Sequence, residues 1–208
     1  MGIKELRFII FDLSEVLTFG LLRFEENIAR ELGLDGEMTD EAFGGPHLQA
    51  LLRGDITEDH YLRKVLKKNS WTIEPARLKM LLRQNFHVTI PETIEIATVL
   101  ARSYTLVLLS DHAKEWISSI TRMHSFLDNL FTYKVFSCDI GSTKQDAQTF
   151  RRLLQILSAE PYHCIFIDDS IRNIEVARSV GIDGIRFLNA QQLRRELRGR
   201  GIASEGEY

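Results

Sequence analysis

The sequence predicts an α/β fold, a three-layer Rossmann-like parallel sheet with helices on both faces, together with a small all-α domain. Five short apolar runs, rich in β-branched or aromatic residues, alternate with segments whose apolar residues recur at helical spacing. Such alternation is typical of a parallel sheet covered by its crossover helices. Residues 19–88, in contrast, contain no run that predicts a strand, so we expect a helical insertion there.

The first predicted strand, residues 8–11, is the apolar run Phe-Ile-Ile-Phe near the start of the chain. Apolar residues at helical spacing then predict helices in the insertion at 21–33, 48–52, 58–68 and 74–86, with a glycine-rich loop at 35–46. The remaining strands are predicted at 105–109, 133–137, 164–167 and 184–188.

Helices are expected between and after these strands. Pro91 favours a helix start at 91, and Asp146 is a good cap for a helix that ends near 157. Gly181 is a typical stop for a helix over 174–180. Further helices are predicted at 116–123 and 191–200. The chain thus divides into an α/β core, residues 1–18 and 89–208, and a helical cap, residues 19–88.

Composition narrows the class of protein. A chain of 208 residues with 26% charged residues and a formal net charge of -3 gives no support for a nucleic-acid partner. No apolar stretch approaches the roughly 20 residues of a membrane span. Cys138 and Cys164 form no CxxC pair, which suits a reducing compartment, so we expect a cytoplasmic protein. The oligomeric state is left open, with a homodimer as one candidate.

Polar side chains follow the predicted strands where each strand ends. Asp12 follows the first strand, Ser110 the second, and Asp168 with Asp169 the fourth, while Lys144 leads the helix after the third. Right-handed crossovers bring these positions to one edge of the sheet. Clustered carboxylates there predict a Mg²⁺ site, and a hydroxyl and an ammonium beside it would bind a phosphoryl group. The pattern therefore indicates phosphoryl transfer on a small phosphorylated substrate.

Four motifs carry a family resemblance: Phe11-Asp12-Leu13-Ser14-Glu15-Val16-Leu17, Leu108-Leu109-Ser110-Asp111, Gly141-Ser142-Thr143-Lys144-Gln145-Asp146, and Phe166-Ile167-Asp168-Asp169-Ser170 with Asn173. In order and spacing they resemble the haloacid-dehalogenase-like (HAD) superfamily. The segment 53–57, Arg-Gly-Asp-Ile-Thr, is similar to the cap segment of its subfamily I members with a small helical cap, such as sugar-phosphate phosphatases and the phosphatase domain of epoxide hydrolases.

The resemblance implies a phosphatase that works through an aspartyl-phosphate, with a cap that closes over the substrate. It makes Asp12 both the nucleophile and a metal ligand, beside the backbone carbonyl of Ser14. The other implied roles are metal binding or its support (Asp168, Asp169, Asn173) and contact with the substrate phosphate (Ser110, Asp111, Lys144).

The sequence departs from the family pattern at two important positions. Ser14 stands where phosphatases of the family carry an aspartic general acid, whose loss typically costs ~10²–10⁴ in rate. Asp111 stands where an asparagine is common, which puts negative charge near the phosphate. A third change, Gln145 for proline, is expected to matter little. Four residues could replace the missing acid: Glu15, His47, His112 and Asp139.

Other classes of function are also considered against the sequence. A nearly inactive member that serves as a binding protein is consistent with Ser14 and Asp111. A 2-haloacid dehalogenase would keep Asp12 as nucleophile but would not need the acidic pair. A dinucleotide-binding fold would need GxGxxG after the first strand, and a receiver domain would carry its acidic pair there. The substrate is not identified, although the cap residues Phe43, His47 and Arg53 are candidates to contact it.

Overall fold

A computed structural model describes residues 6–20, 24–32 and 42–202. Its five strands are β1 (Phe8–Phe11), β2 (Thr105–Ser110), β3 (Tyr133–Phe136), β4 (Cys164–Asp168) and β5 (Asp183–Arg186). They form one sheet in the order β3-β2-β1-β4-β5, and every neighbouring pair is parallel. The predicted α/β class with a parallel sheet is therefore confirmed.

The sheet register places the ends of the central strands together. Phe11 of β1 is paired with Leu108 of β2 and with Ile167 of β4. The backbone N–H of Asp12 donates to the carbonyl of Ile167 at 2.9 Å, so the ladder continues one residue past β1. Asp12, Ser110 and Asp168 consequently meet at the carboxyl edge of the sheet, where open α/β sheets bind their ligands.

Eleven α-helices lie in the described parts of the chain. Four precede α5 and are called the cap helices below: α1 (Phe24–Leu32), α2 (Pro46–Leu52), α3 (Glu58–Asn69) and α4 (Pro75–Asn85). The others are α5 (Pro91–Leu100), α6 (Lys114–Met123), α7 (Phe126–Leu130), α8 (Ser137–Ile140), α9 (Ala147–Leu157), α10 (Ile171–Ser179) and α11 (Ala190–Gly199).

Several boundaries differ from those predicted. The predicted loop at 35–46 lies largely outside the described residues, but Pro46 begins α2, a position that suits its fixed φ. Helix α10 begins three residues before the predicted start, because the Ser170 side chain caps it by accepting from the Asn173 N–H. Ser137 was expected to end β3 and instead begins α8, and α7 was not predicted.

The apolar core covers both faces of the sheet. Alternate residues of β1 point to opposite faces, so Ile9 and Phe11 join one buried cluster while Phe8 and Ile10 join another. The cluster that contains Phe11 extends into the cap helices through residues such as Leu62. Among the described helices, none has the length and apolar character that crossing a bilayer requires.

A buried carboxylate attaches the cap helices to the sheet domain. Glu58 of α3 accepts the indole N–H of Trp116, in α6, at 2.8 Å and pairs with Arg83 of α4 at 2.7 Å. A second link joins the Ser137 hydroxyl to the carbonyl of Leu52 at 2.6 Å. These polar contacts, which are shielded from water, hold the cap helices beside the carboxyl edge of the sheet.

Candidate active site

Asp12 lies at the floor of a cavity at the carboxyl edge of the sheet. It follows β1 directly and is 5% exposed. The backbone N–H of Leu13 and the hydroxyl of Ser110 both donate to its Oδ1, at 2.6 and 3.2 Å. These contacts hold one carboxylate oxygen, and the other, Oδ2, faces a cation.

Lys144 meets that other oxygen. Its Nζ lies 2.7 Å from Asp12 Oδ2 and 2.8 Å from Asp168 Oδ2, and its side chain is 3% exposed. The loop before α9 carries it there, and the Lys144 backbone N–H donates to both carboxylate oxygens of Asp111 at 3.1 Å. Asp111 thus positions the loop from which Lys144 projects.

The two members of the acidic pair have different surroundings. Asp168 is fully buried and accepts hydrogen bonds from the Ser170 N–H at 2.8 Å and the Asn173 amide at 3.1 Å, besides Lys144. Asp169 is less buried and lines the cavity. One carboxylate oxygen each from Asp12, Asp168 and Asp169 lie within 4.8 Å of one another. This oxygen-rich arrangement fits a hard cation such as Mg²⁺.

Electrostatics support the same interpretation. Burial raises the pKa of Asp12 well above its usual range, against the attraction of Lys144, and the neighbouring Asp168 raises it further. Burial, reinforced by Asp168, also raises the pKa of Asp169. Burial alone would lower the pKa of Lys144, but Asp12, Asp168 and Asp111 outweigh it and raise that pKa. One ammonium cannot balance these carboxylates, so a divalent cation would relieve the excess negative charge.

A tight turn after Leu13 sets the position of Ser14. Glu15 has φ +61°, its backbone N–H donates to the carbonyl of Thr18 at 2.6 Å, and its side chain accepts the Gly20 N–H at 2.8 Å. A Cβ at Gly20 would lie 2.6 Å from Ser14 Cβ and Oγ. Only glycine therefore lets the chain pass this close to Ser14.

His112 connects the two serines of the site. Its Nδ1 lies 2.8 Å from Ser110 Oγ and its Nε2 lies 3.2 Å from Ser14 Oγ. Because Ser110 donates its one proton to Asp12, His112 Nδ1 must donate to Ser110, and Nε2 accepts from Ser14. Burial, aided by Lys144, lowers the pKa of His112 to about 3, so the ring is neutral near pH 7. The sequence offered His112 only as a candidate for the missing acid, and this link between the two serines was not predicted.

The cavity measures about 490 Å³, and most of the predicted residues line it: Asp12, Ser14, Ser110, Asp111, Lys144 and Asp169. Asp168 is not among the lining residues and is linked to them through its ion pair with Lys144. Of the proposed replacements for the missing acid, Glu15 and His112 line the cavity. His47 and Asp139 are exposed and lie outside it. Phe43 lines it as predicted, and Arg53 does not.

Sequence reasoning missed the apolar wall of this cavity. Leu48, Leu52, Phe86 and Trp116 line it, and Gln49 adds one amide. Their helical spacing in the sequence indicates burial, but it does not distinguish a residue of the core from one that faces a cavity.

A family model of haloacid dehalogenase-like hydrolases matches residues 6–181. The chain belongs to this family. As a haloacid dehalogenase-like hydrolase, it carries Asp12, Ser110, Lys144 and the acidic pair inside the matched region.

Two curated relatives match shorter stretches of this hydrolase. Flavin mononucleotide hydrolase 1 of Arabidopsis thaliana is 38% identical over 66 residues, which is 32% of this chain and 27% of the relative. Bifunctional epoxide hydrolase 2 of Mus musculus is 33% identical over 79 residues, 38% of this chain and 14% of the relative. The matched regions thus span about a quarter or less of these relatives' lengths.

Solved structures of the family share the fold at low sequence identity. A HAD family enzyme from Bacteroides thetaiotaomicron, in complex with magnesium and inorganic phosphate, has a TM-score of 0.72 at 16% identity over 88% of this hydrolase and 95% of that chain. L-2-haloacid dehalogenase from Xanthobacter autotrophicus has a TM-score of 0.69 at 16% identity, over 96% and 85%. Both phosphate-binding and dehalogenating proteins therefore have this fold.

Proposed function

We propose that this hydrolase is a Mg²⁺-dependent phosphatase that acts on a small phosphorylated molecule through an aspartyl-phosphate on Asp12. One observation carries the proposal. Asp12 is surrounded by a hydroxyl donor, an ammonium and two further carboxylates. A nucleophile for phosphoryl transfer needs this combination, because attack on a phosphate dianion requires neighbouring positive charge and donors.

The chemical step follows from the positions of these groups. An Asp12 carboxylate oxygen attacks phosphorus, and the bond from phosphorus to the ester oxygen breaks with its electron pair going to that oxygen. Ser110 and Lys144 would donate to the phosphoryl oxygens during the transfer. Bound Mg²⁺, held by Asp12, Asp169, the Ser14 carbonyl and the supporting Asp168, would keep Asp12 ionised and offset the phosphoryl charge. Water then attacks phosphorus, the bond from phosphorus to the Asp12 oxygen breaks with its electron pair going to that oxygen, and the proton lost by the water passes to the released phosphate or to solvent.

Among the described lining residues, neither Ser14 nor His112 can give a proton to the departing alcohol, and the Glu15 carboxylate is engaged by the Gly20 N–H. Ser14 occupies the position of the general acid, and the neutral His112 already donates its one proton to Ser110. An alcohol with a high pKa would leave as an unfavourable alkoxide. Esters or anhydrides whose leaving groups are stable as anions are therefore favoured, and turnover on alkyl phosphates is expected to be slow.

Acetyl phosphate is the test substrate, because acetate needs no proton to leave. We expect phosphate release with Mg²⁺, its loss on addition of EDTA, and its loss in Asp12→Asn. Asp128→Asn, at an exposed site that pairs with Lys134, is the matched control and should retain full activity. Equal background rates for wild type and Asp12→Asn with Mg²⁺ present would reject the phosphatase proposal and favour a nearly inactive member of the family.

Dehalogenation is the second candidate, because Asp12 could equally attack carbon and the fold is shared with L-2-haloacid dehalogenases. Release of chloride from 2-chloropropionate, undiminished by EDTA, would favour it. The acidic pair weighs against it, since a halide leaving group needs no divalent cation. Flavin mononucleotide, which the Arabidopsis relative is named for, should be tested as a substrate beside acetyl phosphate and 2-chloropropionate.

A further inference from the structure

We infer that the cavity selects phosphate esters of neutral, apolar and preferably aromatic alcohols, an inference that rests on the proposed phosphatase function. Two features of the described residues support it independently. One is the balance of charge around the cavity, and the other is the chemistry of its wall.

The charge balance disfavours a second anionic group on the substrate. Among the described lining residues, four carry carboxylates, Asp12, Glu15, Asp111 and Asp169, and one, Lys144, carries an ammonium. That ammonium is already within 2.8 Å of Asp12 and Asp168. A carboxylate or second phosphate on the leaving group would enter a partly buried, negatively charged site without a described cation to pair with.

The aromatic residues that line the cavity favour a substrate with a ring. Phe86, His112 and Trp116 form a mutual aromatic cluster with centroid separations of 5.7 to 6.2 Å. The indole N–H of Trp116 is used by Glu58, so this ring offers the cavity an apolar surface. All three rings are at most 3% exposed, so a substrate ring would contact the small part of each ring that reaches the cavity.

The wall offers little to a polar leaving group. Leu48, Leu52 and Phe43 add apolar surface beside the Gln49 amide. Other neutral polar side chains of the lining belong to the motifs that carry Asp12, Lys144 and the acidic pair: Ser14, Gln145, Ser170 and Asn173. Sugar hydroxyls placed against Leu48, Leu52 and Phe43 would lose their hydrogen bonds to water without a replacement from these side chains, which costs binding free energy for each unpaired group. An apolar ring gains from the same burial. The volume of about 490 Å³ is in the usual range for a site that binds small molecules.

Leaving-group chemistry selects the same class of substrate. A phenolate is far more stable than an alkoxide, so an aryl phosphate needs the missing general acid least. The apolar aromatic wall and the serine at position 14 therefore act in the same direction, although they are separate features of the molecule.

A panel of esters separates the contributions. 2-Phenylethyl phosphate and glucose 6-phosphate are both esters of primary alcohols. With Mg²⁺, kcat/KM should be about tenfold or more higher for 2-phenylethyl phosphate, because it buries apolar rather than polar surface. Phenyl phosphate should exceed 4-carboxyphenyl phosphate by about 10-fold to 100-fold, because the latter brings an unpaired charge.

A variant tests the charge argument directly. Leu48→Lys places a cation on the wall at a partly buried position, and it should reduce the preference for phenyl over 4-carboxyphenyl phosphate by about tenfold. Met80→Lys, at an exposed position of α4 outside the cavity, is the matched control and should leave the preference unchanged. Gln49→Lys provides a second test if Leu48→Lys fails to fold.

The outcomes distinguish the two proposals. Turnover of acetyl phosphate with no preference for ring-bearing or uncharged esters would overturn this inference and leave the phosphatase function intact. An unchanged preference in both folded lysine variants would overturn the charge argument. Absence of Mg²⁺-dependent turnover on every ester, acetyl phosphate included, would reject the phosphatase function and this inference with it.

Discussion

Replacing Asp111 by asparagine should make the protein more stable at neutral pH. Burial raises the pKa of Asp111 to about 6, against the attraction of Lys144. Its folded-state pKa is thus above the unfolded value, so the folded state binds the proton more tightly. Stability is therefore lost as pH rises through the window between the two values, from about 4 to about 6.

The size of the effect follows from that window. Raising the pKa of Asp111 from near 4 to about 6 on folding lowers the free energy of unfolding by about 3 kcal/mol at pH values above 6. This value is the upper limit for the stability gained in Asp111→Asn. The amide oxygen can still accept the Lys144 backbone N–H, so that hydrogen bond is retained. For a chain of this size, 3 kcal/mol raises Tm by roughly 6–12 °C.

The assay is thermal or urea unfolding of wild type and Asp111→Asn without metal, from pH 4 to pH 7.5. The difference in free energy of unfolding should be near zero at pH 4 and reach its full value by pH 7. Asp128→Asn is the control, because its carboxylate is exposed and its surface ion pair contributes only about 0–1 kcal/mol. A gain that did not change with pH, or no gain at pH 7, would refute the reasoning.

Three further changes test the site. Lys144→Met leaves Asp12 and Asp168 buried without their cation. It should lower the free energy of unfolding of the metal-free protein by about 3–5 kcal/mol, measured with urea. An unchanged urea midpoint would contradict the buried pairing. Gly20→Ala forces a Cβ against Ser14. It should lower the free energy of unfolding by about 1–3 kcal/mol and lower the rate of acetyl phosphate hydrolysis. Wild-type stability and rate would mean that the turn adapts freely. Ser14→Asp should raise kcat on alkyl phosphates by about tenfold or more and change acetyl phosphate little, because only the former needs an acid; absence of any gain would indicate that another residue already supplies the proton.

Much of the fold could be predicted because its signals are local. The run at β1, the cap residue Asp146 before α9 and the proline that starts α5 each act on neighbouring residues, so the sequence shows them directly. Helix α7 was missed because its five residues are too few for a periodic pattern. Ser137 was misassigned because its hydroxyl binds the distant carbonyl of Leu52, which no local pattern reveals.

The candidate site was predictable for a different reason. Parallel strands with right-handed crossovers bring their carboxyl ends to one edge, so residues that follow strands must meet there. Asp12, Ser110 and the acidic pair follow this rule, and the structure places them together. Their roles in catalysis and metal binding stay predictions until the activity is measured.

By itself, the sequence determined the class of fold, the family and the groups available for chemistry at the sheet edge, because these depend on residue types in order along the chain. Only the tertiary structure decided that His112 joins Ser14 to Ser110, and that Phe86 and Trp116 form the aromatic wall. It also decided that Lys144 lies between two buried carboxylates, those of Asp12 and Asp168. Contacts between distant segments and the withdrawal of charges from water arise only when the chain is folded, so neither can be deduced from local patterns.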